Sequence, residues 1–264
     1  MELNLKGKKA LVTGSSSGIG EGIAKCLARE GVHVMVQGRK KQELQRVVHE
    51  ITANGGVAHF IEGDLTRDED VQRIAERTLQ AFQRLDILVN NAGAFPKRGW
   101  LQGSPQDWLD LFNVNVVAMV RMIQLFLPQM KIHGWGRIIQ IASVAGISPS
   151  PSLPEYGATK AANINMTISL AKDLAGSGIT VNTVSPGPIA TAGTRALFEE
   201  MAVEKNWGKE WKEIEKKVTQ EMLPNLVGRF GTPEEVGNLV AFLASPIADF
   251  ITGANYRIDG GRQA

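Results

Sequence analysis

Tyr156 and Lys160 stand four apart in a stretch with helical periodicity, so both side chains leave one face of a helix. A phenol with an ordinary pKa near ~10 is a poor acid–base catalyst at neutral pH. An ammonium beside it favours the phenolate and draws that pKa toward the working range. On an arbitrary helix such a pair is ordinary surface chemistry. Ser143 gives it a context: this hydroxyl follows the buried-looking run Arg137–Ala142, at the carboxyl edge of a sheet, where open α/β sheets bind their ligands. A serine there can hydrogen-bond the same substrate oxygen that the tyrosine contacts.

A second constellation is suited to an anion. Thr13-Gly14-Ser15-Ser16-Ser17-Gly18-Ile19-Gly20 joins the apolar run Lys9–Thr13 to a helical stretch. Glycines let the backbone turn tightly and approach a pyrophosphate, and the helix N-terminus offers free N–H groups and positive dipole. The spacing is Gly-x-x-x-Gly-x-Gly rather than the commoner Gly-x-Gly-x-x-Gly. Roughly 20 residues beyond, where a second strand should end at the adenosine ribose, the chain reads Gln37-Gly38-Arg39-Lys40-Lys41. No carboxylate is there to hold a free 2′-hydroxyl, and Arg39 is there to meet a 2′-phosphate. Cations at a helix start oppose its dipole and need such a reason. The expected cofactor is NADP(H), with NAD(H) possible.

These residues need elements to position them. Short β-branched runs occur at Lys9–Thr13, His33–Gln37, Ala58–Glu62, Ile87–Asn90, Arg137–Ala142, Ile179–Ser185 and Asn255–Asp259. Most are near-continuously apolar, as strands covered on both faces should be. Between them lie helical stretches at Gly20–Glu30, Gln42–Asn54, Asp68–Arg84, Gln106–Lys131, Glu155–Ala175 and Pro233–Leu243. The alternation predicts an α/β fold: a single Rossmann-like, doubly wound parallel sheet of about seven strands with helices on both faces, in one domain over residues 1–264. Residues 191–224 break the rhythm. Trp207, Trp211, Ile214, Val218 and Met222 fall on one face of a helix, opposite Lys209, Glu210, Lys212, Glu213, Lys216 and Lys217. The expectation is an insertion whose amphipathic helix forms a lid on the substrate side.

Bulk properties exclude other classes. Lys plus Arg total 29 against 27 Asp plus Glu, which gives no reason to invoke nucleic acid or an anionic membrane. No uninterrupted apolar run approaches the roughly 18 residues of a membrane span. The first residues lack a basic n-region followed by an apolar h-region, so no signal peptide is expected and a soluble cytoplasmic protein is. Cys26, the single cysteine, lies on an apolar helical stretch and is expected in the core. His33, His49, His59 and His133 are scattered, and no metal site is expected.

Taken in order, these motifs resemble the short-chain dehydrogenase/reductase family from about Lys6 to Gly261. Gly14, Ser16, Ser17, Gly18, Ile19 and Gly20 resemble its cofactor turn. Asp64-Leu65 resembles its adenine contact, and Asn90-Asn91-Ala92-Gly93 its fourth-strand motif, which supports the sheet and touches the cofactor. Asn115 matches the helical asparagine that holds a relay water; with Ser143, Tyr156 and Lys160 it completes a tetrad. Pro186-Gly187-x-Ile189-x-Thr191 resembles the segment that fixes the nicotinamide carboxamide, and Asp259-Gly260-Gly261 the family's last-strand ending.

The resemblance implies hydride transfer between nicotinamide and a carbonyl or secondary alcohol. In it Tyr156 is the general acid/base, Ser143 stabilises the developing alkoxide, Lys160 lowers the phenol pKa and contacts the nicotinamide ribose, and Asn115 passes protons through water. It also implies a homotetramer that pairs the helices Gln106–Lys131 and Glu155–Ala175. The substrate pocket should be bordered by Phe95, Ser143, Leu153, Tyr156, Trp207 and Trp211, with Trp100 and Pro149–Pro154 nearby. Two departures matter. Ser17 stands where NADP-preferring members often carry a basic residue, so the preference leans on Arg39 and its lysines. Gly134 and Ser177 stand where reductases acting on acyl carrier protein tend to be basic, which favours a small or medium free carbonyl compound. The competing readings are an NAD(H)-dependent alcohol dehydrogenase of the same fold and a non-catalytic dinucleotide-binding regulator.

Overall fold

Seven strands build the sheet in a computed structural model that describes residues 2–262. They are β1 (Lys9–Val12), β2 (His33–Gly38), β3 (Val57–Glu62), β4 (Ile87–Asn90), β5 (Gly136–Ile141), β6 (Ile179–Pro186) and β7 (Asn255–Ile258). All pairings are parallel, in the order β3-β2-β1-β4-β5-β6-β7. The doubly wound sheet expected from the alternation is therefore present. Its direction of winding reverses between β1 and β4, and that crevice is where open sheets of this kind take ligands.

The two faces carry separate cores. On one side Ala10, Val12, Val34, Val36, Val89, Ile139 and Val184 pack under α1 (Gly18–Arg29), α2 (Lys41–Ala53) and α9 (Pro233–Ala244). Cys26 is buried there, where it meets Gly237. On the other side Leu11, Leu88, Ile138 and Val181 pack under α3 (Asp68–Phe82) and α5 (Ala118–His133), with α6 (Pro154–Asp173) alongside. Two residues further along the strands that face turns polar: Asn90, Gln140 and Thr183 lie side by side in register, all buried. The sheet is oily at its base and polar where the chemistry is expected.

The long helix expected over Gln106–Lys131 is α4 (Pro105–Phe112), a π-helical turn at Asn113–Val117, and α5. Ser104 caps it with a reciprocal capping box to Asp107. As one continuous run, Pro105–His133 has a mean hydropathy of 1.5 over its best window, long and apolar enough to cross a membrane by length and composition. Asn113, Asn115 and Arg121 are interspersed along it, so its apolar residues form no unbroken run. Met119, Met122, Ile123, Phe126 and Met130 are buried against the sheet and its neighbouring helices, so the apolar surface is spent on the core.

The insertion differs from expectation in its joints. It holds two helices, α7 (Ala192–Lys205) and α8 (Trp211–Glu221), where one was read. Asn206 takes the left-handed conformation and Gly208 has φ +99°, which ends the first helix and places Trp207 in the turn between them. Met222 lies just past α8 and is 40% exposed, whereas Ile214 and Val218 are fully buried. Phe198, Ala202, Ile214, Val218 and Phe230 form a small core of their own, with Trp207 and Trp211 packed against it.

Candidate active site

The glycine turn fits a dinucleotide because its backbone is already crowded. Gly14 has φ +62°, and a Cβ there would lie 2.7 Å from Ala92 Cα; a Cβ on Gly20 would lie 2.4 Å from Asn91 Nδ2. The turn is braced from below. Thr13 Oγ1 accepts from the N–H groups of Asn91 and Ala92 at 2.9 and 3.0 Å. Asn91 Nδ2 donates to the carbonyls of Thr13 and Gly14 at 2.8 and 3.1 Å. Asn91 and Ala92 thus hold the turn in shape, with the amide nitrogen of Asn91 committed to it. Ser15 is structural as well, donating to Val12 O at 2.6 Å. Ser17 is the N-cap of α1 and makes no side-chain cap bond, so the helix N-terminus presents free N–H groups beside Ile19. A Cβ on Gly18 would come within 3.4 Å of Thr191 Cγ2, which brings the two ends of the expected cofactor site face to face.

Gln37, quoted from the sequence but assigned no role, proves central. Buried at the end of β2, it accepts from Gly14 N–H through Oε1 at 3.2 Å and donates through Nε2 to Gly63 O at 2.8 Å. It therefore couples the glycine turn to the loop carrying Asp64. Only its position at a strand end before Gly38 could have hinted at this. Beyond it Arg39, Lys40 and Lys41 are exposed and form no ion pair among the described residues. Arg39 and Asp64 line a common cleft of about 880 Å³. Bonds from the Thr66 backbone and hydroxyl hold the Asp64 carboxyl below its ordinary pKa, with Arg39 adding to the effect. Leu65 points its side chain into the core.

At the other end, Pro186 closes β6 and Gly187 is pressed against Asp259, where a Cβ would meet Asp259 Cβ at 2.7 Å. Ile189 is buried and bridges to Gly231, and Thr191 caps α7 by accepting from Thr194 N–H at 3.1 Å. This loop is therefore anchored on both sides.

The tetrad assembles over β4 and β5. Lys160 Nζ, buried, donates to Ile141 O at 3.0 Å. Asn115, in the π-helical turn, accepts from Ala94 N–H at 2.7 Å and donates to Ala94 O and Thr159 Oγ1 at 3.0 and 3.1 Å. A Cβ on Gly93 would stand 3.1 Å from Asn115 Oδ1 and 3.6 Å from Lys160 Nζ, so glycine is what lets the two converge. Both ends of the Asn115 amide are used in stapling the loop after β4. Single π turns of this kind occur often at functional sites. Phe95 sets its ring edge-on to Tyr156 with centroids 4.8 Å apart, and Leu153 is the N-cap residue of α6. Trp207 and Trp211, expected at the substrate pocket, pack against the small core of the insertion; Trp211 meets Phe230 edge-on at 5.7 Å.

The electrostatics correct one expectation. The phenol of Tyr156 is pushed up from its ordinary 10.0, because desolvation outweighs the opposing influence of the nearby Ser143 hydroxyl. Lys160 Nζ stands 5.6 Å from the ring centroid and is itself driven down from 10.5 to about 8 by burial. Proximity in sequence suggested that the ammonium would dominate; the low-dielectric surroundings dominate instead. Among the described residues no group of three or more His, Cys, Asp and Glu side chains is placed to hold a metal.

A glycine-rich cradle at a switch point, with Ser, Tyr and Lys converging over the same strand ends, defines a dinucleotide-using oxidoreductase site. Comparison with known proteins gives the family. The short chain dehydrogenase profile matches residues 8–202. An uncharacterized oxidoreductase, YvrD of Bacillus subtilis, is 37% identical over 262 residues, covering 99% of this chain and 98% of that one. The 3-oxoacyl-[acyl-carrier-protein] reductase FabG of Aquifex aeolicus is 38% identical over 262 residues, covering 99% of each. Among solved structures, L-sorbose reductase from Gluconobacter frateurii, complexed with NADPH and L-sorbose, superposes with a TM-score of 0.92 at 33% identity, covering 99% of this chain and 98% of that one. The chain belongs to the short-chain dehydrogenase/reductase family.

Proposed function

We propose that this protein is an NADP(H)-preferring ketoreductase acting on a free carbonyl compound of small or medium size. The observation that carries the reading is the convergence of Ser143, Tyr156 and Lys160 beside a glycine turn braced for a dinucleotide. Gly14, Ser16, Ser17, Gly18, Ile19 and Gly20 would hold the pyrophosphate side, Arg39 the 2′-phosphate, and Pro186, Gly187, Ile189 and Thr191 the carboxamide side. When bound, the reduced cofactor supplies the hydride. Tyr156, kept neutral by burial, donates its proton to the carbonyl oxygen, and Ser143 hydrogen-bonds the same oxygen as negative charge develops. Lys160, with a pKa of about 8, is poised to return a proton toward the phenol near neutral pH. The backbone of Asn115 would seat the water that connects it to solvent. The NAD(H)-dependent alternative has the same tetrad and differs only at Arg39.

The charges around Gly134 and Ser177 support a free substrate over a carrier protein. Lys131 is paired with Asp173 at 3.3 Å, and Arg137 is buried and paired with Asp249. Neither cation is free to receive an acidic partner. The whole chain acts as one catalytic domain, with α7 and α8 as a self-cored cover over the substrate side. A cytoplasmic homotetramer pairing the outer faces of α4, the π turn, α5 and α6 accounts for the exposed Leu109, Val117 and Ile168 along them. A screen of ketones and alcohols with both cofactors, following the absorbance of the reduced nicotinamide, tests the reading. Turnover of ketones with NADPH is expected; turnover confined to acyl-carrier-protein thioesters would overturn the substrate class.

A further inference from the structure

One residue before the phenol, Glu155 buries a carboxylate that the tetrad does not use. It is the second residue of α6, in the first turn, where the helix dipole favours an anion, and it is 1% exposed. Oε1 accepts from Arg98 Nε at 2.8 Å, while Oε2 lies beside Gly103 with no hydrogen-bond partner among the described residues. Arg98 comes from the segment between β4 and α4, three residues after Phe95, and its Nη1 pairs with Asp107 in the first turn of α4. Asp107 is fixed in turn by Ser104, whose N–H and hydroxyl donate to Oδ2 at 2.9 and 2.7 Å. One guanidinium thus ties a loop, α4 and α6 together.

Apart from Trp100, whose ring lies 5.8 Å from that of Trp108, that loop has few side chains tying it to the helices. No helix or strand lies between Asn91 and Ser104, and Asn115 secures only its start at Ala94. Yet it carries Phe95 to the edge of the Tyr156 ring. We propose that Glu155, Arg98 and Asp107 form an ionic clasp that sets Tyr156 against the Phe95–Gly103 wall of the substrate site. Arg98 and Glu155 are then positioning residues for ketone reduction, an assignment that rests on Tyr156 being the proton donor. A buried carboxylate without its partner is costly, so loss of Arg98 obliges Glu155 to turn out and the first turn of α6 to follow. The planar guanidinium reaches two carboxylates at fixed angles, which an ammonium does only in part.

The test compares Arg98→Met, Arg98→Lys and the charge-free pair Arg98→Met/Glu155→Met, with Tyr156→Phe as a control. For each, kcat and KM for a ketone, the Kd of NADPH, the melting temperature and backbone hydrogen exchange are measured. Arg98→Met is expected to lower kcat/KM about 10- to 100-fold, the scale on which slightly mis-set reacting groups are felt, with the NADPH Kd unchanged. Arg98→Lys should recover part of that loss. The charge-free pair should regain melting temperature, since no unpaired charge is left buried, without regaining kcat/KM. Exchange should quicken in Phe95–Gly103 and the first turn of α6 while the core strands stay protected. Normal kcat and KM in Arg98→Met, at whatever cost in melting temperature, overturn the clasp. Should the wild type reduce no ketone, exchange decides: quickening confined to those two segments sustains the clasp, and unchanged exchange overturns it. Full activity in Tyr156→Phe would instead sink the proton-donor assignment.

Discussion

Replacing Lys160 with Met should destroy ketone reduction and make the protein more stable at pH 7. Lys160 is 4% exposed, and burial lowers its pKa from 10.5 to about 8. At ~1.36 kcal/mol per pKa unit, holding the ammonium in that site costs about 3 kcal/mol at neutral pH. Against this stands the bond from Nζ to Ile141 O at 3.0 Å, whose loss takes back about 1 kcal/mol. Met fills a similar volume, so the net gain is about 2 kcal/mol, or roughly 4–8 °C in melting temperature for a chain of this size. The sign depends on pH. Between about 8 and 10.5 the unfolded chain still holds the proton and the native lysine has shed it, so wild-type stability rises with pH across that window. The advantage of Lys160→Met is therefore full at pH 7, shrinks above pH 8 and is gone by about pH 10. Denaturant unfolding of the cofactor-free enzyme at pH 7 and pH 10 measures both values. A variant less stable than wild type at pH 7, or a difference that does not change between the two, would refute the reasoning.

Tyr156→Phe should cut the ketone reduction rate by about 10²–10⁴-fold with NADPH affinity unchanged; retention of more than half the rate, with chemistry limiting, would remove Tyr156 as the acid. Arg39→Ala should weaken NADPH by about 1.5–3 kcal/mol and leave NADH nearly unaffected, and equal losses by titration would assign Arg39 to structure. Trp211→Ala should lower the melting temperature, because Trp211 packs on Phe230 and beneath the Arg195 guanidinium at 4.9 Å. Being partly exposed, it should cost less than the ~3–5 kcal/mol of a fully packed tryptophan; unchanged melting with altered KM would make α8 a mobile cover.

The sheet was legible because burial on both faces leaves a plain trace. β4 and β5 read as short, mostly apolar runs, broken in β5 only by Arg137 and Gln140, and their ends fall within a residue or so of the expected places. The glycine turn and tetrad were legible for a different reason: they are local motifs with fixed spacing. What was hidden involves distance along the chain. Gln37 reaches back 23 residues to Gly14, and Arg98 reaches 57 residues to Glu155, contacts that no periodicity announces. The π turn at Asn113–Val117 was hidden because one extra residue in a turn barely shifts an apolar pattern 29 residues long. In the insertion, apolar spacing matched a helix through Trp207, yet Asn206 and Gly208 adopt positive φ and break it there.

The hardest thing to see from sequence was the sign of the electrostatics at Tyr156. A Tyr–Lys pair read alone says that the ammonium lowers the phenol. In the fold both groups are short of water, so the phenol rises and the ammonium falls, each penalised for its own charge. At neutral pH such a site rests with the proton on the tyrosine, the form that can donate to a carbonyl oxygen. Lys160, with its pKa brought within about one unit of neutrality, gives up and regains a proton far more readily than a surface lysine does. The same burial that costs stability at Lys160 thus leaves its ammonium able to exchange a proton near neutral pH, which is what the proposed relay to Tyr156 requires.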